Sequence, residues 1–142
     1  MSDTSPETSV QAWLESYIRT HAGVAGTVHR RAGDDLLLVA AMNIPPKVQD
    51  IVRVVPKGKG MAGLAFLQDT AIATCNIKDD NTGRVKPGAK AIDARAGVAL
   101  PVHDGAGAVR AVVGIAFMEE KELTESELAA LGTAAATLPP LG

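Results

Sequence analysis

Apolar residues recur at helical spacing near the start of the chain, where Val10, Trp13, Leu14, Tyr17 and Ile18 fall on one stripe. Ser5 and Pro6 stand where an N-cap and a first helical residue belong, and Gly23 ends the run, which predicts a helix over 6–22. The period then changes from helical to strand-like. Val24 to Arg31 and Asp35 to Met42 read as two strands joined through Ala32-Gly33-Asp34, and the second is apolar on both faces, hence central. Asn43-Ile44-Pro45-Pro46 stops it, a short turn covers Lys47 to Asp50, and Ile51 to Val55 leads into a run rich in glycine.

That run, Pro56-Lys57-Gly58-Lys59-Gly60-Met61-Ala62-Gly63, combines sharp backbone turns with the composition to start a helix at once. A helix start presents unpaired peptide N–H groups and the positive end of the helix dipole, which suits an anion or the electron-rich end of a small molecule. The spacing also matches Gly-x-Gly-x-x-Gly, with Asp79 and Asp80 about 20 residues on, as in dinucleotide-binding folds. The helix is too short for that: Asp69-Thr70 breaks it and Ala71 to Cys75 reads as a strand, whereas a crossover unit needs about a dozen residues.

Periodicity disappears from Asn76 to Arg95, a polar stretch whose length suits a cover over a site. The clearest hairpin follows. Gly97 to His103 and Val109 to Phe117 flank Asp104-Gly105-Ala106-Gly107; Val98, Leu100 and Val102 share one face of the first strand, and Val109, Ala111, Val113, Ile115 and Phe117 one face of the second. Pro101 implies an edge or a bulge. Thr124-Glu125-Ser126-Glu127 is a capping box with Leu123 and Leu128 as its staple, and the stripe Leu128, Leu131, Ala135, Leu138 continues a helix over 124–138.

The 142 residues, 46% of them apolar, can bury one core, so a single α+β domain over 1–142 is expected. Fourteen basic against sixteen acidic residues give a net charge of −2, which argues against nucleic acid and against a polybasic membrane patch. No signal-peptide pattern opens the sequence and no apolar run has the length of a membrane span, so a soluble cytoplasmic protein is expected. The single cysteine, Cys75, allows no internal disulfide.

The order helix, hairpin, glycine-rich turn with short helix, strand, long loop, hairpin, helix resembles a GAF domain. The resemblance is carried by Leu38-Val39-Ala40-Ala41, by Pro56 to Gly63, by Ala73-Thr74-Cys75-Asn76-Ile77-Lys78-Asp79-Asp80, and by Leu100-Pro101-Val102 through Val113-Gly114-Ile115 to Leu123-Thr124-Glu125-Ser126-Glu127. It implies a central antiparallel sheet of five or six strands, with the terminal helices on one face. On the other face it implies a ligand pocket under the short helix from Met61 and the loop from Asn76 to Arg95. It also implies a sensory role exercised on a separate signalling protein, such as a kinase or regulator, or within a homodimer formed through the terminal helices. Cyclic-nucleotide-binding members carry an Asn-Lys pair and a Phe where this chain reads Phe117-Met118-Glu119-Glu120-Lys121. Bilin-binding members have a cysteine usually followed by histidine, where this chain has Cys75-Asn76. No cofactor is therefore expected.

Within that frame the pocket is expected to draw its polar groups from the glycine turn at Gly60 and from peptide N–H groups near Leu64 and Ala65. Its walls are expected from Met42, Ile44, Met61, Cys75, Ile77 and Val98, with a charge from Arg84 or Arg95. Small aliphatic walls favour a compact ligand, such as the small anion bound by stand-alone nitrate-sensing members. Catalysis is not expected. The reductase branch of the family, acting on free methionine-(R)-sulfoxide, needs a second thiol to resolve the sulfenic acid formed on the first, and Cys75 has no companion. His21, His29 and His103 lack metal-ligand spacing and read as surface or packing residues. Asp79-Asp80-Asn81 starts like a calcium loop but meets Lys90 where the closing acid belongs, so no metal is expected. The remaining alternative is an interaction or dimerisation module with a vestigial pocket.

Overall fold

The computed structural model describes residues 6–74, 96–119 and 123–141. The first stripe forms helix α1 (Pro6–Thr20) and buries Val10, Leu14, Tyr17 and Ile18. Ser5 lies outside the described residues. The end of α1 differs from expectation by one position. Ala22, rather than Gly23, takes the left-handed conformation at φ 60°, and the Gly23 N–H donates back to Ile18 O at 2.8 Å to close the helix. Gly23 is small because a Cβ there would meet Ile115 Cγ1 at 2.7 Å.

Strands β1 (Ala25–Ala32) and β2 (Asp35–Met42) form the expected hairpin. The segment read as a short turn winds into helix α2 (Pro46–Ile51), which Pro46 favours because its fixed φ suits the first turn and its missing N–H costs nothing there. Then come β3 (Val54–Pro56), α3 (Gly60–Gln68), β4 (Ile72–Thr74), β5 (Ala96–His103), β6 (Val109–Phe117) and α4 (Glu125–Ala135). The capping box of α4 forms in both directions: Glu127 N–H donates to Thr124 Oγ1 at 3.1 Å and Thr124 N–H to Glu127 Oε1 at 3.2 Å. The helix stops short of Leu138, which is nevertheless buried.

The strands make one six-stranded antiparallel sheet in the order β3-β2-β1-β6-β5-β4. The edge strand β3 is three residues long, so little open ladder is offered to another chain on that side. Where β3 ends, α1 takes over the exposed margin of β2: the Gln11 side chain donates to Ala41 O at 2.8 Å and accepts from Ala41 N–H at 3.3 Å.

One face of the sheet is sealed by the terminal helices. Leu14, Ile18, Leu131, Ala135 and Leu138 pack there against Val28, Leu100, Val102, Val113, Ile115 and Phe117 in one continuous cluster. Each large side chain buried in this way contributes about 1.5–3 kcal/mol. The helices are also tied together: Tyr17 Oη donates to Leu131 O at 3.0 Å, Trp13 Nε1 to Thr137 Oγ1 at 2.9 Å, and the two rings stack at 4.9 Å. Burial pushes the Tyr17 phenol well above its ordinary pKa, which keeps that donor protonated.

A bulge adjusts the faces. In β5–β6 the register runs from Val102↔Ala111 to His103↔Val109, leaving Arg110 as the extra residue. Val109 is thereby turned away from Ala111, Val113, Ile115 and Phe117 and joins the cluster on the opposite face, against the expectation of a shared one. Arg110 reaches the carbonyls of Leu138 at 2.7 Å and Pro139 at 3.2 Å, pinning the segment after α4. Pro101 lies beyond the last β4–β5 pair, Ile72↔Ala99, so its missing N–H leaves no ladder bond unmade on that side. The hairpin turn is held by Asp104, whose carboxyl accepts from the N–H groups of Ala108 and Ala106 and is kept below its ordinary pKa by them.

Candidate functional site

The glycine-rich run supplies the turn that sets α3 against the second face of the sheet. Gly58 and Gly60 take positive φ, 87° and 65°, a conformation that strains other residues. Gly63 is needed for contact: a Cβ would fall 2.5 Å from Pro56 O and 3.1 Å from Gly58 N, and its carbonyl accepts from Gly58 N–H at 2.8 Å. The helix is anchored further along by Phe66, buried in the second cluster, with the Lys57 ammonium 4.8 Å and the Arg31 guanidinium 5.3 Å from its ring centre.

Between this helix start, α2 and the sheet lies a cavity of about 140 Å³. Its floor is Gly26, Thr27 and His29 of β1, Gly97, Val98 and Ala99 of β5, and Gly114, Ile115 and Ala116 of β6. Its other walls are Ile44, Val48, Val52, Val55 and the first turn of α3, Lys59 to Ala62. Glycine, alanine and threonine on the floor leave the volume unfilled, and the shape of α2 frames it. The α2 wall is fixed by two bonds: Gln49 Nε2 donates to Ile44 O at 2.8 Å, and His29 Nε2 lies 2.8 Å from Val52 O, so that nitrogen carries the ring proton. His29 is only 2% exposed and couples β1 to the end of α2.

At the mouth of α3 the Lys59 backbone occupies the N-cap position without a side-chain cap, and the first intrahelical bond runs from Gly63 N–H to Lys59 O at 3.0 Å. The peptide N–H groups of Gly60, Met61 and Ala62 precede that bond and belong to the uncapped first turn. No helix among the described residues is long and apolar enough to cross a membrane, and no group of three or more His, Cys, Asp or Glu side chains among them could hold a metal ion.

The family model described as GAF domain matches residues 3–138. The chain belongs to the GAF domain family. Solved GAF structures have the same architecture. The GAF domain of a phosphoenolpyruvate-protein phosphotransferase from Coxiella burnetii superposes with a TM-score of 0.78 at 16% identity, over 96% of this chain and 82% of that one. The corresponding domain from Acinetobacter gives 0.76 at 15%, over 96% and 81%. The type II free methionine-R-sulfoxide reductase of Thermoplasma acidophilum gives 0.70 at 14%, over 94% of both chains. No curated protein matches the chain in sequence. At these identities the structural likeness establishes the fold: an α+β GAF domain with a six-stranded antiparallel sheet and the terminal helices on one face.

Of the residues expected to form the pocket of this GAF domain, Ile44, Gly60, Met61 and Val98 line the cavity, although the Val98 side chain packs in the cluster beneath the terminal helices. Met42 packs against that same cluster, on the far side of the sheet. Leu64 and Ala65 sit in the second cluster, one turn inside α3, so the uncapped N–H groups belong to Gly60, Met61 and Ala62 instead. Cys75, Ile77, Arg84 and Arg95 lie outside the described residues, as does the expected cover from Asn76 to Arg95.

Thr27, His29, Val48, Val52, Ala99 and Ala116 were not legible as lining. Val48 and Val52 stand four apart, the spacing of one helix face, and that signal is present in the sequence once 46–51 is read as a helix. Nothing in the pattern of β1 distinguishes His29 as a wall residue. His103, in contrast, lies at the surface, its Nε2 2.5 Å from Asp69 Oδ1.

Proposed function

We propose that this GAF domain is a sensory or regulatory module that binds a compact small molecule in the cavity between β1, β5, β6, α2 and the start of α3. The observation that carries the reading is the cavity itself: about 140 Å³ left open on one face of a sheet whose other face is packed solid. A pocket walled by aliphatic side chains with a few polar groups at one end is the usual form of a small-molecule site. The first-turn amides of α3 and the Thr27 hydroxyl would orient the polar end of the ligand. Among the described residues a purely anionic ligand has only those amides and the exposed Lys59 in its support.

The output would go to a separate signalling protein, such as a kinase or regulator, or to a second copy of the chain through the terminal helices. The solved GAF domains from phosphoenolpyruvate-protein phosphotransferases support a regulatory context. We assign no enzymatic activity, because the lone Cys75 has no second thiol to resolve a sulfenic acid.

Native mass spectrometry of the gently purified chain, followed by thermal-shift screening of small metabolites, tests this reading. A true ligand at a hundred times its Kd stabilises the fold by about 2.7 kcal/mol. Ala116→Leu, which adds volume to the floor, is expected to abolish the shift. A bare protein that no compound stabilises would overturn the sensor assignment in favour of the interaction module. Sedimentation velocity on the same samples reads the output: a monomer with and without ligand removes the homodimer.

A further inference from the structure

We infer that the ligand this pocket selects has a compact, uncharged hydrocarbon body, about the size of a branched five-carbon chain or a benzene ring, with at most one polar end. The inference rests on the reading of the cavity as a binding site and narrows its ligand class.

Three observations carry it. The side chains that meet across the cavity, Val48, Val52, Met61, Ala99 and Ala116, are all apolar. Among the described lining residues the only charged one is Lys59, and it is exposed. His29 directs its protonated Nε2 at Val52 O, so that donor is committed to holding α2. A small inorganic anion entering this space would give up its water for walls that return few hydrogen bonds, which is strongly unfavourable. A hydrocarbon body loses nothing by the exchange. The volume agrees: an apolar cavity of about 150 Å³ takes up a benzene-sized guest. The Thr27 hydroxyl and the first turn of α3 leave room for one polar group, which fixes orientation without changing the class.

The test is a titration of the full chain followed by amide NMR, using ethanol, propan-1-ol, 2-methylpropan-1-ol, 3-methylbutan-1-ol and benzene, with nitrate and acetate as charged probes. Affinity is expected to rise about three- to fourfold with each added carbon up to 3-methylbutan-1-ol. Shift changes are expected at Val48, Val52, Ile115 and Ala116, while nitrate and acetate leave these signals in place. Ala116→Leu is expected to weaken 3-methylbutan-1-ol at least tenfold. Val52→Ile, which adds a single methylene, provides a milder filling if the first variant folds poorly, and it is expected to move the best-binding alcohol to a shorter one.

Nitrate or acetate shifting the cavity signals while the alcohols do not would overturn the hydrocarbon assignment and leave the pocket reading standing. Alcohol binding with no dependence on chain length would also overturn it. No binding by any probe would remove both.

Discussion

The two faces of the sheet are built from the same strands and end in opposite states. Beneath α1 and α4, residues such as Leu14, Ile18, Val28, Val113 and Leu131 interlock, and every one of them is at most 4% exposed. Beneath α2 and α3 the corresponding layer splits into two smaller clusters, one around Leu36, Phe66 and Val112, the other around Ile44, Val48 and Ala116, with the cavity beside them. The strands do not differ in apolar content between faces so much as in side-chain size. Where glycine and alanine floor the sheet, a short helix cannot sink far enough to fill the space. Stability is therefore concentrated on one face, and the capacity to take up a guest on the other.

The sharpest way to break this comparison is to truncate one buried side chain to alanine on each side. Leu14→Ala is expected to cost about 3 kcal/mol, the loss typical of a leucine truncated in a close-packed core. Val48→Ala, at the cavity wall, is expected to cost about 1 kcal/mol because its loss enlarges a space that already exists. Chemical denaturation of both variants checks the contrast, and equal losses would show that the α2 face is as firmly packed as the α1 face.

An intermediate effect is expected from Gly63→Ala. The added methyl would press on the Pro56 carbonyl and the Gly58 peptide, which are backbone and cannot rotate aside. A cost of about 1–3 kcal/mol is expected, with loss of ligand binding as the first turn of α3 is displaced. Denaturation curves and the alcohol titration read the two parts separately. Wild-type binding in a destabilised variant would show that the turn supports the fold without shaping the pocket.

The smallest effect sharpens the comparison from the stable side. Ala22 holds φ 60° at the end of α1, and Ala22→Gly is expected to stabilise the chain by about 0.5–1 kcal/mol by relieving that conformation. Because the change lies outside the cavity, guest affinity should be unaltered. A fall in melting temperature would refute the account of the α1 terminus.

Much of the architecture follows from local rules that a sequence displays directly. The stripe of α1, the two hairpins and the Thr124–Glu127 capping box depend on neighbours within a few residues, so their periods and caps fixed the order of elements and, with it, the family resemblance. The glycines at 58, 60 and 63 likewise announced a tight turn into a helix. What tertiary structure alone decided was which side of each element meets which partner. The extra residue at Arg110 turned Val109 to the opposite face, and a bulge leaves no mark in an alternating pattern. Met42 and Ile44, two residues apart, went to opposite sides of the sheet because the chain bends at Asn43, whose φ is 57°. His29 became a wall of the pocket through a carbonyl 23 residues away. Periodicity records how a segment folds on itself. A cavity is the space left when several segments meet, and its dimensions depend on side-chain volumes brought together from distant parts of the chain.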